Sequence, residues 1–179
     1  LSAFDLTPDM SNTLVVAISQ SGTTTDTNRT VELVRARGAK VIAIVNRRNS
    51  DLTDRADGVL YTSDGRDIEM SVASTKAFYS QVVAGYLLAF AIAEVVSENK
   101  NSDREAILEA LDSLPEAMEE LLELRGHISK LANQFAPPNR HWAIVGSGGN
   151  VIAAEEIRIK LSELCYKSIS SDVIEDKKH

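Results

Sequence analysis

The sequence predicts an α/β protein: a three-layer αβα arrangement on a parallel sheet, then a helical connector and the start of a second unit of the same kind. Three observations carry that expectation. Short apolar runs of strand length alternate with longer amphipathic stretches, the pattern of βαβ units. The runs at 13–18 and 39–45 flank one amphipathic stretch, within the roughly 30 residues of a single right-handed crossover. After Pro137-Pro138 the opening order of strand, glycine turn and helix returns, as in a tandem repeat.

Residues 1–12 are a mixed lead-in containing Pro8, and 13–18 form the first strand. A helix over about 24–37 follows, with Val31, Leu33 and Val34 as its buried side and Gly38 as its C′ stop. The apolar run 39–45 suits a strand covered on both faces. A polar loop at 46–50 leads to a short helix at 51–56 capped by Ser50, and 58–62 form a third strand. Beyond the polar loop 63–69, residues 74–97 read as a long, largely buried helix that Ser74 could cap. Its most apolar part, 82–93, is bounded by Ser80, Gln81 and Glu94. That is shorter than the roughly 20 residues a membrane span needs, so a core helix is expected.

From 103 to 134 the chain turns Glu- and Leu-rich, and Pro115 divides two helical segments. This is expected to be a connector that also packs at a dimer interface. A strand at 141–145, a glycine turn at 146–150, a helix at 151–164 and the start of a strand at 167–170 complete the chain. The expected domains are 1–100, 101–136 and 137–179. The last is too short to bury a core by itself, and the chain opens on Leu1 and stops in what reads as mid-element. It is therefore expected to be a fragment cut at both ends.

With 44% hydrophobic and 25% charged residues, the composition is that of a soluble globular protein. A net charge of −7 argues against nucleic acid and anionic membrane surfaces as partners. No charged segment followed by an apolar leader opens the chain. The single cysteine, Cys165, excludes an internal disulfide and fits a reducing, cytoplasmic setting; it is expected to be a small buried hydrophobe.

Ser19, Ser21, Thr23, Thr24 and Thr25 crowd hydroxyls into one turn with Gly22, without a base or a metal ligand. A helix N-terminus offers unpaired N–H groups and a positive dipole end, which favour anions. On the residues alone, a phosphate cradle and an ordinary capped turn both remain open. Lys160 and Glu163, at i and i+3, taken bare are a solvated helix pair. Gly146-Ser-Gly-Gly149 lacks the full dinucleotide fingerprint. No cofactor and no metal are expected.

The stretches Ser19-Gln-Ser-Gly-Thr-Thr-Thr-Asp-Thr27 and Val72-Ala-Ser-Thr-Lys-Ala-Phe78 resemble the two signature segments of the sugar isomerase (SIS) domain. Their form is similar to that in the isomerase half of the glucosamine-6-phosphate synthases, the isomerising glutamine–fructose-6-phosphate aminotransferases. Lys160-Leu-Ser-Glu-Leu-Cys-Tyr166 with His179 resembles the second domain of that tandem.

The resemblance implies a flavodoxin-like or Rossmann-like fold and a sugar phosphate ligand, fructose 6-phosphate or glucosamine 6-phosphate. It implies that Ser19, Gln20, Ser21 and Thr24 cradle the phosphate and that Val72 and Ser74 touch the sugar. Glu163 would move a proton between C1 and C2 with support from Lys160. His179 would open the sugar ring in the neighbouring subunit of a homodimer. These roles agree with the chemistry, since a carboxylate suits a proton shuttle and histidine trades protons near neutrality. The family's initial strand with its Gly-Thr-Ser turn, its tail lysine and its glutaminase domain have no counterpart in these residues. The approach at 65–71 is more acidic and a residue longer. The rival expectations are a non-catalytic SIS module that senses a phosphosugar for a partner, and a purely structural dimerisation fragment.

Overall fold

The computed structural model of the protein describes residues 6–64, 73–96 and 103–177. Two expected site residues, Val72 and His179, lie outside the described residues, as does the loop at 65–71. The chain divides into two compact units, Leu1–Ser102 and Asp103–His179.

In the first unit, β1 (Leu14–Ser19), β2 (Lys40–Val45) and β3 (Gly58–Tyr61) form a parallel sheet in the order β1-β2-β3. The register sets Val15 beside Val41, Ala17 beside Ala43 and Ile44 beside Leu60. Because side chains alternate along a strand, Val15, Ala17, Val41 and Ala43 share one face. There they pack on Val31 and Val34 of α1 (Thr25–Arg35) and on Leu52 of α2 (Asp51–Arg55). On the opposite face Ile42, Ile44 and Leu60 meet Ala84, Leu88 and Ile92 of α3 (Lys76–Val96). Helix, sheet and helix make the expected three layers. Fully buried residues such as Val31, Val41, Ile44 and Leu52 each contribute about 1.5–3 kcal/mol of burial energy.

Gly38, at φ +95°, ends α1 as expected: Ala39 N donates to Val34 O at 3.1 Å and Gly38 N to Arg35 O at 2.9 Å. That bond pair is the Schellman closure. Leu33 departs from expectation. It is exposed, since the buried stripe of α1 runs through Asn28, Val31 and Val34. Asp57 then fastens the amino end of the sheet, accepting from Val41 N at 2.9 Å and pairing with Arg35 at 2.7 Å and Lys40 at 3.4 Å.

The long helix also differs from expectation. Only Ala77, Ala84, Leu88 and Phe90 are buried, whereas Tyr79, Val82, Tyr86 and Leu87 are exposed. Its 21 residues are long and apolar enough to cross a membrane by length and composition, so shortness does not argue against a span. What marks it as a core helix is its packing on Ile44 through Ala84 and Leu88. It covers the β2–β3 part of its face. Leu14, Val16 and Ile18, on the same face of β1, stay 46%, 40% and 52% exposed.

The second unit opens with three helices where two segments were expected: α4 (Arg104–Asp112), α5 (Leu114–Glu123) and α6 (Arg125–Phe135). Breaks fall at Ser113 and Leu124. Pro115 sits in the first turn of α5, where its missing N–H costs nothing. Next, β4 (Trp142–Gly146), α7 (Asn150–Cys165) and β5 (Ile169–Val173) form a second βαβ unit with parallel pairing. A Cβ at Gly146 would lie 2.8 Å from Val151 N, so only glycine lets α7 turn back this closely. Lys167 donates to Ala136 O and Asn139 O and lies 4.0 Å over the Trp142 ring, tying the end of α6 to β4. Cys165 is exposed rather than buried, because Tyr166 in a left-handed conformation ends α7 just beyond it.

Candidate functional site

Ligands of open parallel sheets bind outside the carboxyl ends of the strands. In the first unit that edge carries the turn after β1. Ser19, the last residue of β1, is buried, and its Oγ accepts from Gly22 N at 3.0 Å. Gly22 has φ +66°, a left-handed conformation that glycine adopts without strain. Its carbonyl accepts from Leu52 N and from Asn28 Nδ2, both at 3.0 Å. Asn28 also donates to Thr24 O at 3.1 Å, so one buried amide braces both sides of the turn. Gln20 O accepts from Asn46 N at 3.2 Å and Arg47 N at 3.3 Å, which joins the loop after β2. Asn46 Oδ1 in turn accepts from Thr62 and Ser63 hydroxyls after β3. Three consecutive strand ends are thereby held together.

Ser21 Oγ accepts from Thr23 N at 3.2 Å and from Thr23 Oγ1 at 3.0 Å. Thr24 occupies the N-cap position of α1, yet its hydroxyl makes no capping bond. The first intrahelical backbone bond is Asn28 N to Thr24 O. The preceding N–H groups of Thr25, Asp26 and Thr27 therefore have no acceptor within the helix. Gln20 Oε1 is buried with no hydrogen-bond partner among the described residues. Ser19, Gln20, Ser21 and Thr24 are thus gathered at one turn that does not cap itself.

Ser74 lies half-buried at φ +24°, and α3 begins at Lys76. The residue flanking the helix is Thr75, so Ser74 is not its N-cap.

In the second unit, Lys160 Nζ stands 3.8 Å from Glu163 Oε2 and 3.2 Å from Glu156 Oε1. Lys160 and Glu156 are 21% and 24% exposed, whereas Glu163, at 38%, is exposed. One ammonium is shared by two carboxylates on one face of α7. That arrangement leaves negative charge for accepting a proton and keeps a donor beside it. Glu156 was missed in the sequence, although its i−4 spacing from Lys160 was the signal. Asn28 was missed too, and its signal was an amide on the apolar stripe of α1. Among the described residues no group of three or more His, Cys, Asp or Glu side chains could hold a metal ion.

Comparison with known proteins gives these features a family. Residues 6–91 match the SIS domain. The chain is 36% identical over 167 residues to a glutamine–fructose-6-phosphate aminotransferase (isomerizing) of Corynebacterium glutamicum, covering 93% of this chain and 26% of that one. It is 35% identical over 168 residues to the same-named protein of Mycobacterium tuberculosis, covering 94% and 26%. The chain thus spans about a quarter of the length of these curated relatives. Among solved structures, the C-terminal domain of glucosamine-fructose-6-phosphate aminotransferase from Francisella tularensis matches with TM-score 0.84 and 29% identity. That match covers 93% of this chain and 46% of the other. Glucosamine-6-phosphate deaminase from Thermotoga maritima shares the fold, with TM-score 0.74 at 18% identity over 99% of this chain and 50% of its own. With its hydroxyl-rich turn on a three-layer parallel α/β fold, the part of the chain over residues 6–91 belongs to the SIS domain family.

Proposed function

We propose that this chain is the isomerase part of a fructose-6-phosphate aminotransferase, holding the sugar phosphate by the turn after β1. The carrying observation is the uncapped start of α1, where the N–H groups of Thr25, Asp26 and Thr27 have no acceptor within the helix and the Thr24 hydroxyl makes no capping bond. A phosphate accepts several hydrogen bonds and carries negative charge, which answers both features. In this reading Ser19 shapes the turn from below, while Gln20, Ser21 and Thr24 contact the phosphate. Val72 and Ser74 contact the sugar. Glu163 takes a proton from one of two adjacent sugar carbons and returns it to the other, converting ketose to aldose. Lys160, 3.8 Å from Glu163, supports that proton transfer and steadies charge that develops on the sugar oxygen. His179 opens the ring from a neighbouring subunit of a cytoplasmic homodimer. The names of the curated relatives support fructose 6-phosphate as substrate, and glucosamine 6-phosphate is the product in this reading.

Titration calorimetry with fructose 6-phosphate and glucosamine 6-phosphate tests the cradle. Binding is expected for the unaltered chain, weakened about tenfold in Ser21→Ala, which loses one phosphate contact worth about 1.4 kcal/mol. No heat with either sugar, or equal binding by the variant, would sink the assignment.

A further inference from the structure

We propose, resting on the phosphate reading of the turn after β1, that Arg47 supplies the positive charge that balances the bound phosphate. A phosphate monoester carries close to two negative charges near neutral pH, and a helix end supplies only about half a positive charge. The remaining surroundings are unfavourable. The turn itself offers hydroxyls and one amide, and Asp26 stands in the first turn of α1. Asp51 and Asp54 stand in the first turn of α2, whose Leu52 N–H is bonded to Gly22 O. The whole chain carries −7. A dianion seated here calls for a cation.

Two nearby arginines are already engaged. Arg55 pairs with Glu32 at 3.0 Å and reaches Asp51 at 4.0 Å. Arg48 lies 4.2 Å over the Tyr61 ring and reaches Ser63 O at 3.5 Å. Arg47 differs. Its backbone N–H donates to Gln20 O at 3.3 Å, which fixes the start of its side chain against the turn. That side chain is exposed and enters none of the ion pairs or side-chain hydrogen bonds among the described residues. The loop carrying it is held in place, with Asn46 bonded to Gln20 O on one side and accepting from Thr62 and Ser63 on the other. A forked guanidinium on a fixed stem, with no internal partner, suits two oxygens of one phosphate. Arg47 would thus make the turn discriminate by charge as well as by shape.

The test is calorimetry of fructose 6-phosphate binding at low and high salt, with Arg47→Ala, Arg47→Lys and the control Arg37→Ala. The control removes the same charge from the amino end of the sheet, where Arg37 donates to Leu33 O. Arg47→Ala is expected to weaken binding about tenfold at low salt, with the loss shrinking as salt screens the pair. Arg47→Lys is expected to recover only part of the affinity, since it restores the charge without the fork, and Arg37→Ala to stay within about twofold of the unaltered chain. Equal binding by Arg47→Ala, or an equal loss in Arg37→Ala, would overturn the assignment while leaving the cradle intact. An unaltered chain that binds no sugar phosphate would take down both readings.

Discussion

Replacing Gly22 by alanine places a methyl group where the chain is both left-handed and crowded. The backbone φ of +66° costs a residue with a Cβ about 1–2 kcal/mol. The added Cβ would sit 2.7 Å from Ser50 Cβ and 3.1 Å from Val45 Cγ2. Both neighbours are buried and fixed, Val45 by the sheet and Ser50 by the start of α2, so relief requires backbone movement at about 1–3 kcal/mol. Gly22→Ala is therefore expected to destabilise the first unit by about 2–5 kcal/mol. With a urea dependence of about 2 kcal/mol per molar, the midpoint of its unfolding by circular dichroism should fall by about 1–2.5 M. A second variant separates the two causes. Ser50→Gly removes the nearer obstacle at a few tenths of a kcal/mol, since glycine is tolerated at an N-cap. In that background Gly22→Ala should cost only the φ penalty and the milder approach to Val45, about 1–2 kcal/mol. A loss within about 0.5 kcal/mol of zero, or the same loss in both backgrounds, would refute the reasoning.

Ser19→Ala leaves the buried N–H of Gly22 without its acceptor, at a cost of about 1–3 kcal/mol, read as a lower urea midpoint with unchanged slope. Asn28→Ala strips donors from both Gly22 O and Thr24 O; a loss of at least about 1 kcal/mol is expected, together with weaker binding of fructose 6-phosphate. The Asp57 carboxyl is held below the usual carboxylate range chiefly by the Val41 N–H, against a smaller effect of burial and with help from Lys40 and Arg35. Its folded pKa lies below its unfolded one, so its stabilisation is complete above the ordinary value of about 3.9. That stabilisation is lost as pH falls through the depressed value. Asp57→Asn should flatten stability against pH below about pH 4 in acid titrations followed by circular dichroism, and an unchanged acid limb would contradict this.

The sheet and the turn were legible because their signals are local. An apolar run such as 41–45 needs no partner information to read as a buried strand, and Gly22 and Gly38 punctuate where left-handed backbone is required. What escaped the sequence depends on which face of an element is covered. Leu33 and Val34 are equally apolar, but the phase of α1 buries only Val34. The outward side of α3 reads as core by composition, yet Tyr79 and Leu87 are exposed because the helix rests on two strands along one stripe. In the site, hydroxyl-rich 19–25 was conspicuous, whereas Asn28 and Glu156 act by reaching across a turn. Such a reach appears only when backbone carbonyls and an ammonium have positions.

The half-open face of β1 also governs how this chain behaves at high concentration. Leu14-Val-Val-Ala-Ile18 holds neither charge nor proline. Among the described residues, its strand is paired along one edge only. Flat apolar edges of that composition template further strands, so self-association should begin here before it begins at the polar turn. A single charge on that open face, Val16→Lys, would act as a gatekeeper against such stacking while leaving Val15 and Ala17 in their core contacts. The strand that leads into the hydroxyl-rich turn is thus also a place where solubility can be engineered without touching that turn.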